Sequence, residues 1–146
     1  MMHGLHALVY VSTAVRPMTL PDIDRLLEVA RARNAKLRVT GVLLYDAGHF
    51  MQYLEGPAAS MTRVYQLIKA SSLHHGIIEL LRERIDTSEF PEWSMAFRSP
   101  NAFGMSHPTQ QGDLLSQSLA PATAPVSAAR QFLAKFWARG RAPSAF

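Results

Sequence analysis

Cysteine is absent from all 146 residues, which excludes disulfides, thiolate nucleophiles and cysteine-ligated metals and suits a reducing cytoplasm. Long apolar runs are absent too: nothing approaches the ~20 residues that cross a bilayer. The opening MMHGLHALVYVS lacks the basic-then-apolar layout of an export signal and reads as a strand instead. Neither membrane insertion nor export is expected. Acidic residues are scarce in the tail, where Asp113 alone faces Arg98, Arg130, Lys135, Arg139 and Arg141. Residues 1–92 carry ten basic and ten acidic side chains, so the net +4 belongs entirely to that tail. A neutral main domain makes nucleic acid a poor candidate partner. With 48% hydrophobic and 18% charged residues, the chain has material for one core with an appendage.

The pattern along the chain is strand, helix, strand, strand, helix, strand, strand. LHALVYVS (5–12) is β-rich and is followed by Pro17 and Pro21. Leu20, Ile23, Leu26, Leu27 and Ala30 then recur at helical spacing, with acids early and bases late, and this helix is expected to end near Asn34. RVTGVLLYDAGHFMQYLEG reads as a hairpin of strands 38–45 and 49–55 turning at Asp46, Ala47 and Gly48. A second helix begins after Pro57, runs through Met61, Val64, Leu67 and Ile68, and fades at Ser71 and Ser72. GIIELLRERID (76–86) permits helix by composition, but its place before WSMAF favours a strand. The order predicts a ferredoxin-like α+β layer, a βαββαββ sheet with both helices on one face. The other face is also apolar, at Val9, Val11, Met51 and Tyr53, and requires a cover. Residues 99–126 read as loop with a short helical piece near 113–119. SAARQFLAKFWARG (127–140) reads as a helix whose stripe of Phe132, Leu133, Phe136 and Trp137 is expected to supply the lid, with a membrane- or partner-binding helix as the alternative. Domain 1–98 with extension 99–146 is the expected division.

One residue breaks the apolar pattern. In FMQYLEG (50–56), Gln52 shares a strand face with Phe50 and Leu54, and an unpaired buried amide costs about 1–3 kcal/mol. Tyr10 and Ser12 occupy the corresponding face of the first strand, so a phenol, a hydroxyl and an amide meet under the helical layer if strands one and three are neighbours. Asn34 adds a second amide at the edge of the same space. Neutral hydrogen-bonding groups of this kind suit a flat ligand rich in carbonyls and ring nitrogens better than they suit hydrolysis.

LHALVYVSTA, RNAKLRVTGVLLY, GHFMQYLEGP and FPEWSMAF, in this order and spacing, resemble the successive signatures of BLUF domains, blue-light sensors that use flavin. The resemblance covers about residues 5–98. It implies a ferredoxin-like fold and non-covalent binding of FAD, or in some members FMN or riboflavin, between the two helices. Position by position, it implies that Tyr10 is the photochemical electron and proton donor and that Gln52 links the phenol to flavin N5 and C4=O. Asn34 would hold the C4=O and N3 edge with Arg33 beside it, Phe50 and Leu26 would pack on the ring, and His74 would lie near the ribityl end. Ser12, Trp93 and Met95 would relay the signal, Trp93 and Met95 by exchange into and out of the pocket.

Two positions depart from the family. The usual DxRH pattern is replaced by SSLHH, with Ser71 and Leu73 where Asp and Arg are customary, and Arg38 stands where many members have Gly. Adjacent His74 and His75 have no placed carboxylate, so a wet helix end is expected there and no metal. The implied function is a photoreceptor with no enzyme of its own, since the 48 residues after Arg98 are too few for a cyclase or phosphodiesterase domain. It would signal through a homo-oligomer or a downstream protein partner. Competing readings are a degenerate BLUF fold acting as a light-independent interaction module, motivated by Ser71 and Leu73, and an acylphosphatase-like or flavin-dependent enzyme, suggested by fold alone.

Overall fold

The computed structural model describes residues 4–90, 95–98 and 127–141, with side chains to residue 136 in the last segment. The elements are β1 (Leu5–Ala14), α1 (Leu20–Leu37), β2 (Thr40–Asp46), β3 (His49–Pro57), α2 (Ala58–Ala70), β4 (His74–Ile85), β5 (Ala96–Arg98) and α3 (Ala128–Arg141). The strands form one sheet in the order β4-β1-β3-β2-β5, antiparallel except where β5 runs beside β2. This is the ferredoxin-like α+β layer that the pattern predicted. Trp93 and the helical piece expected at 113–119 lie outside the described residues.

Local chemistry explains the element boundaries. Thr19 caps α1 through a reciprocal box: its hydroxyl accepts from Asp22 N–H at 3.3 Å, and the Asp22 carboxylate accepts from Thr19 N–H at 3.0 Å. The helix does not stop near Asn34. It runs another turn to Leu37, because no glycine or proline intervenes, and Asn34 is buried inside it. Arg38 closes the helix in the left-handed region (φ 61), the conformation that glycine adopts without a Cβ penalty. The hairpin turn is tighter than expected, with only Ala47 and Gly48 between the strands. Both have positive φ, as a two-residue turn matching strand twist requires. At Gly41 a Cβ would come within 2.1 Å of the Tyr53 carbonyl oxygen, so the Thr-Gly pair lets β2 lie flush on β3.

The helices α1 and α2 cover one sheet face, packing Ile23, Leu27, Met61 and Val64 onto Leu8, Leu43 and Leu54. The opposite face carries Ala7, Val9, Val42, Leu44, Met51 and Tyr53, and α3 closes it with Ala129, Leu133 and Phe136. Leu133 and Phe136 each contribute about 1.5–3 kcal/mol by such burial, so the tail helix is part of the core.

A buried carboxylate fastens that lid. Glu55 Oε1 accepts from Tyr53 OH (2.8 Å), Glu89 N–H (2.7 Å) and Phe90 N–H (3.3 Å). Glu89 in turn accepts from the Ser127 hydroxyl and from Arg130 Nε (3.3 Å), while the Arg130 guanidinium lies 4.7 Å over the Phe90 ring. Burial, reinforced by the Glu55 charge, pushes the Tyr53 phenol far above the ordinary tyrosine range, so it remains a donor.

β1 is held unequally on its two sides. Against β3 the pairing is continuous from Leu5↔Pro57 to Thr13↔His49, whereas against β4 the register shifts between Val9 and Tyr10 and again between Val11 and Thr13.

Candidate functional site

Register brings the two key residues together. Tyr10 and Gln52 are direct partners across β1 and β3 and both point to the α1/α2 side. The Tyr10 hydroxyl donates to Gln52 Oε1, and Gln52 Nε2 donates to Met95 Sδ at 3.4 Å. Both side chains are buried. Sulfur is a weak acceptor, and it is the partner of this amide nitrogen among the described residues, so a buried NH2 group is left with donor capacity to spare. Burial raises the Tyr10 phenol well above its usual range, against the opposing charge of Arg33 and with Tyr65 adding to the rise. The phenol therefore keeps its proton at any physiological pH.

These groups stand at one end of a cavity of about 400 Å³ between α1 and α2, within the range of small-molecule sites. Leu26, Val29 and Ala30 of α1 form one wall and Leu67 and Ile68 of α2 the other, with Phe50 and Leu43 on the sheet side. Val29 and Leu67 are solvent-exposed, an arrangement that a flat apolar occupant would relieve. Arg33 also lines the cavity. Its Nε donates to Asn34 Oδ1 at 3.2 Å, and burial lowers its pKa, partly offset by the nearby phenol.

Of the residues singled out in the sequence, Tyr10, Leu26, Arg33, Phe50, Gln52 and His74 line this cavity. Asn34 is fully buried and does not line it. Met95 reaches the site through Gln52. Ser12 lies alongside, its hydroxyl 2.7 Å from His74 Nδ1. His74 and His75 do not form a helix end: they open β4, because α2 stops at Ala70 and a short turn leads straight into the sheet. His74 Nε2 donates to the Ile68 carbonyl at 2.9 Å, so both ring nitrogens are committed within the protein. The ring itself lies edge-on to Phe50 at 6.2 Å.

Sequence reasoning missed Arg31, whose Nε donates to the Met95 carbonyl at 2.9 Å and so ties the start of β5 to α1. Those partners are 64 positions apart, and nothing local in the sequence signals their meeting. It also passed over the cavity mouth, where Arg16, Asp22 and Arg25 sit beside Ser71 and Leu73.

The fold and the site together are those of a ferredoxin-like α+β domain with a buried phenol–carboxamide pair at one end of an interhelical cleft. The family model for sensors of blue light using FAD matches residues 5–96, and the chain belongs to that BLUF family. A photoactivated adenylate cyclase subunit beta from Euglena longa is 35% identical over 114 residues, covering 77% of this chain but only 13% of that protein. The dark-state structure of BlrB, a BLUF protein, superposes with a TM-score of 0.65 at 35% identity, over 68% of this chain and 76% of that one. Klebsiella pneumoniae BlrP1 with FMN and cyclic diGMP gives a TM-score of 0.74 at 27% identity, over 93% of this chain and 35% of the other. The match to the cyclase and to BlrP1 thus concerns a minor part of each. Among the described residues, no helix is long and apolar enough to cross a membrane.

Proposed function

We propose that this chain is a blue-light receptor that binds a flavin non-covalently in the cleft between α1 and α2 and switches through Tyr10 and Gln52. The residues present fit such a group: the walls are apolar, the closed end offers an amide with an under-used NH2, and Arg33 supplies a nearby cation. Leu26 and Phe50 would pack on the ring. FAD is the ligand of the family description, and the apolar walls admit the tricyclic ring that FAD, FMN and riboflavin share. Asn34 would reach the ring edge after parting from Arg33, while His74 would present its ring face, both its nitrogens being engaged.

When bound, the flavin supplies a photoexcited oxidant. The chain's part follows from burial. Tyr10 cannot leave a bare charge in this environment, so its electron is lost together with its proton, which passes along the hydrogen bond to the Gln52 amide. Both return to Tyr10, so no net chemistry results. The carboxamide has different donors and acceptors at its two ends, and it re-forms its contacts rotated or tautomerised. In a rotated amide the oxygen faces Met95 Sδ, and the N–H···S contact that holds the start of β5 is gone. Strain then passes to β5, and through β3 to the lid helix α3, altering an interface with a second copy or with a partner chain. A coupling of about 1–3 kcal/mol suffices for such an output.

The observation that carries this reading is the hydrogen-bonded chain Tyr10–Gln52–Met95 at the end of the cleft. The test is an absorption spectrum before and after blue illumination, with the extracted pigment identified. A reversible red shift is expected, and Gln52→Ala is expected to abolish it while the pigment stays bound. Persistence of the shift in that variant overturns the mechanism, and a colourless protein that takes up no added flavin overturns the reading.

A further inference from the structure

The cleft has a direction, and α1 measures it. Arg33 lines the end where Tyr10 and Gln52 stand, and Arg25 lines the other end, about 12 Å away along the helix at 1.5 Å per residue. That span, extended by the reach of the arginine side chain, accommodates a tricyclic ring and the polyol chain that follows it.

The charge at the outer end is unevenly committed. The Arg16 guanidinium is forked onto Asp22 at 2.8 and 3.2 Å, and the same carboxylate accepts from Thr19 N–H. These hydrogen bonds and the Arg16 charge hold Asp22 well below the usual carboxylate range, so the pair is neutral as a unit. On the α2 side, Ser71 Oγ accepts from Leu73 N–H at 3.2 Å and Leu73 is an exposed hydrocarbon, so that turn offers no charge. The His74 nitrogens are occupied by Ser12 and the Ile68 carbonyl. Arg25 remains: it lines the mouth, is exposed, and has neither hydrogen bond nor ion pair among the described residues.

We propose, resting on the flavin reading above, that Arg25 is the specificity-determining residue at the mouth of the cleft, taking the phosphate at the end of the ribityl chain and so selecting a phosphorylated flavin over riboflavin. The turn between α2 and β4, where Ser71 and Leu73 are uncharged, offers no competing cation. The guanidinium suits the task, since its planar fork meets two phosphate oxygens at once.

Equilibrium titration of the full chain with riboflavin and with FMN, followed by flavin fluorescence, tests this without light activation. FMN is expected to bind about five- to tenfold more tightly than riboflavin at low salt, the advantage shrinking as salt rises. Arg25→Gln is expected to remove that advantage and leave riboflavin affinity unchanged. Arg63→Gln, an equal loss of charge on α2 away from the cavity lining, is expected to retain it. Equal affinity for the two flavins in the unmodified chain, or an FMN advantage that survives Arg25→Gln, overturns the assignment while leaving the flavin site intact. Failure of both flavins to bind overturns the assignment and the flavin reading together.

Discussion

The two faces of one sheet treat buried polar groups in opposite ways. On the α1/α2 face, Gln52 makes one hydrogen bond to a phenol and one weak contact to sulfur, beside a cavity. Three residues further along the same strand, on the α3 face, Glu55 collects three donors, and Tyr53, Leu133 and Phe136 fill the surroundings. Burial of a polar side chain is thus no sign of a site by itself. What separates them is completeness: the satisfied carboxylate locks structure, whereas the partly satisfied amide beside an open volume keeps donor capacity in hand, which is what the proposed ligand would use.

The comparison can be broken at either face. The largest effect is expected from Tyr10→Phe, which removes the donor to Gln52 while keeping the ring. The light-induced spectral shift should vanish with flavin still bound, as absorption difference spectra would show. A retained shift would mean that the two polar residues do not work as a pair. On the opposite face, Glu55→Ala should strand the Glu89 and Phe90 amides and the Tyr53 hydroxyl and lower stability by about 3 kcal/mol, read from urea unfolding. Leu133→Ala should cost about 2–4 kcal/mol by opening a cavity under α3, with the flavin-side spectrum unchanged. The smallest effect is expected at a helix end rather than a face. Arg38→Gly should raise stability by about 0.5–1 kcal/mol by relieving a left-handed residue, visible as a modest rise in Tm.

Much of this contrast was legible in sequence, because strand alternation assigns residues to faces once the element order is known. Tyr10, Phe50 and Gln52 fell on one side, and Met51 and Tyr53 on the other, and the need for a lid followed from the second set being apolar. Local ambiguity defeated the rest. Asn34 resembles a helix terminator, yet the terminator is Arg38, a residue whose identity gives no hint of positive φ. His74 was assigned to a helix end because nothing in SSLHH reveals how soon the next strand begins. The Glu55 clip and the Arg31–Met95 bond join residues more than 30 positions apart, and pattern reading along the chain does not reach that far. BLUF signatures supplied the roles that geometry alone leaves unassigned.

The slips in pairing between β1 and β4 bear on how the photoreceptor delivers its message. A strand zipped without interruption to one neighbour and stitched irregularly to the other is stiff on the first side and compliant on the second. On the switching reading proposed above, a displacement at Tyr10 would therefore be conveyed more fully to β3 than to the outer edge. The sheet would then act as a one-sided lever, driven from the phenol.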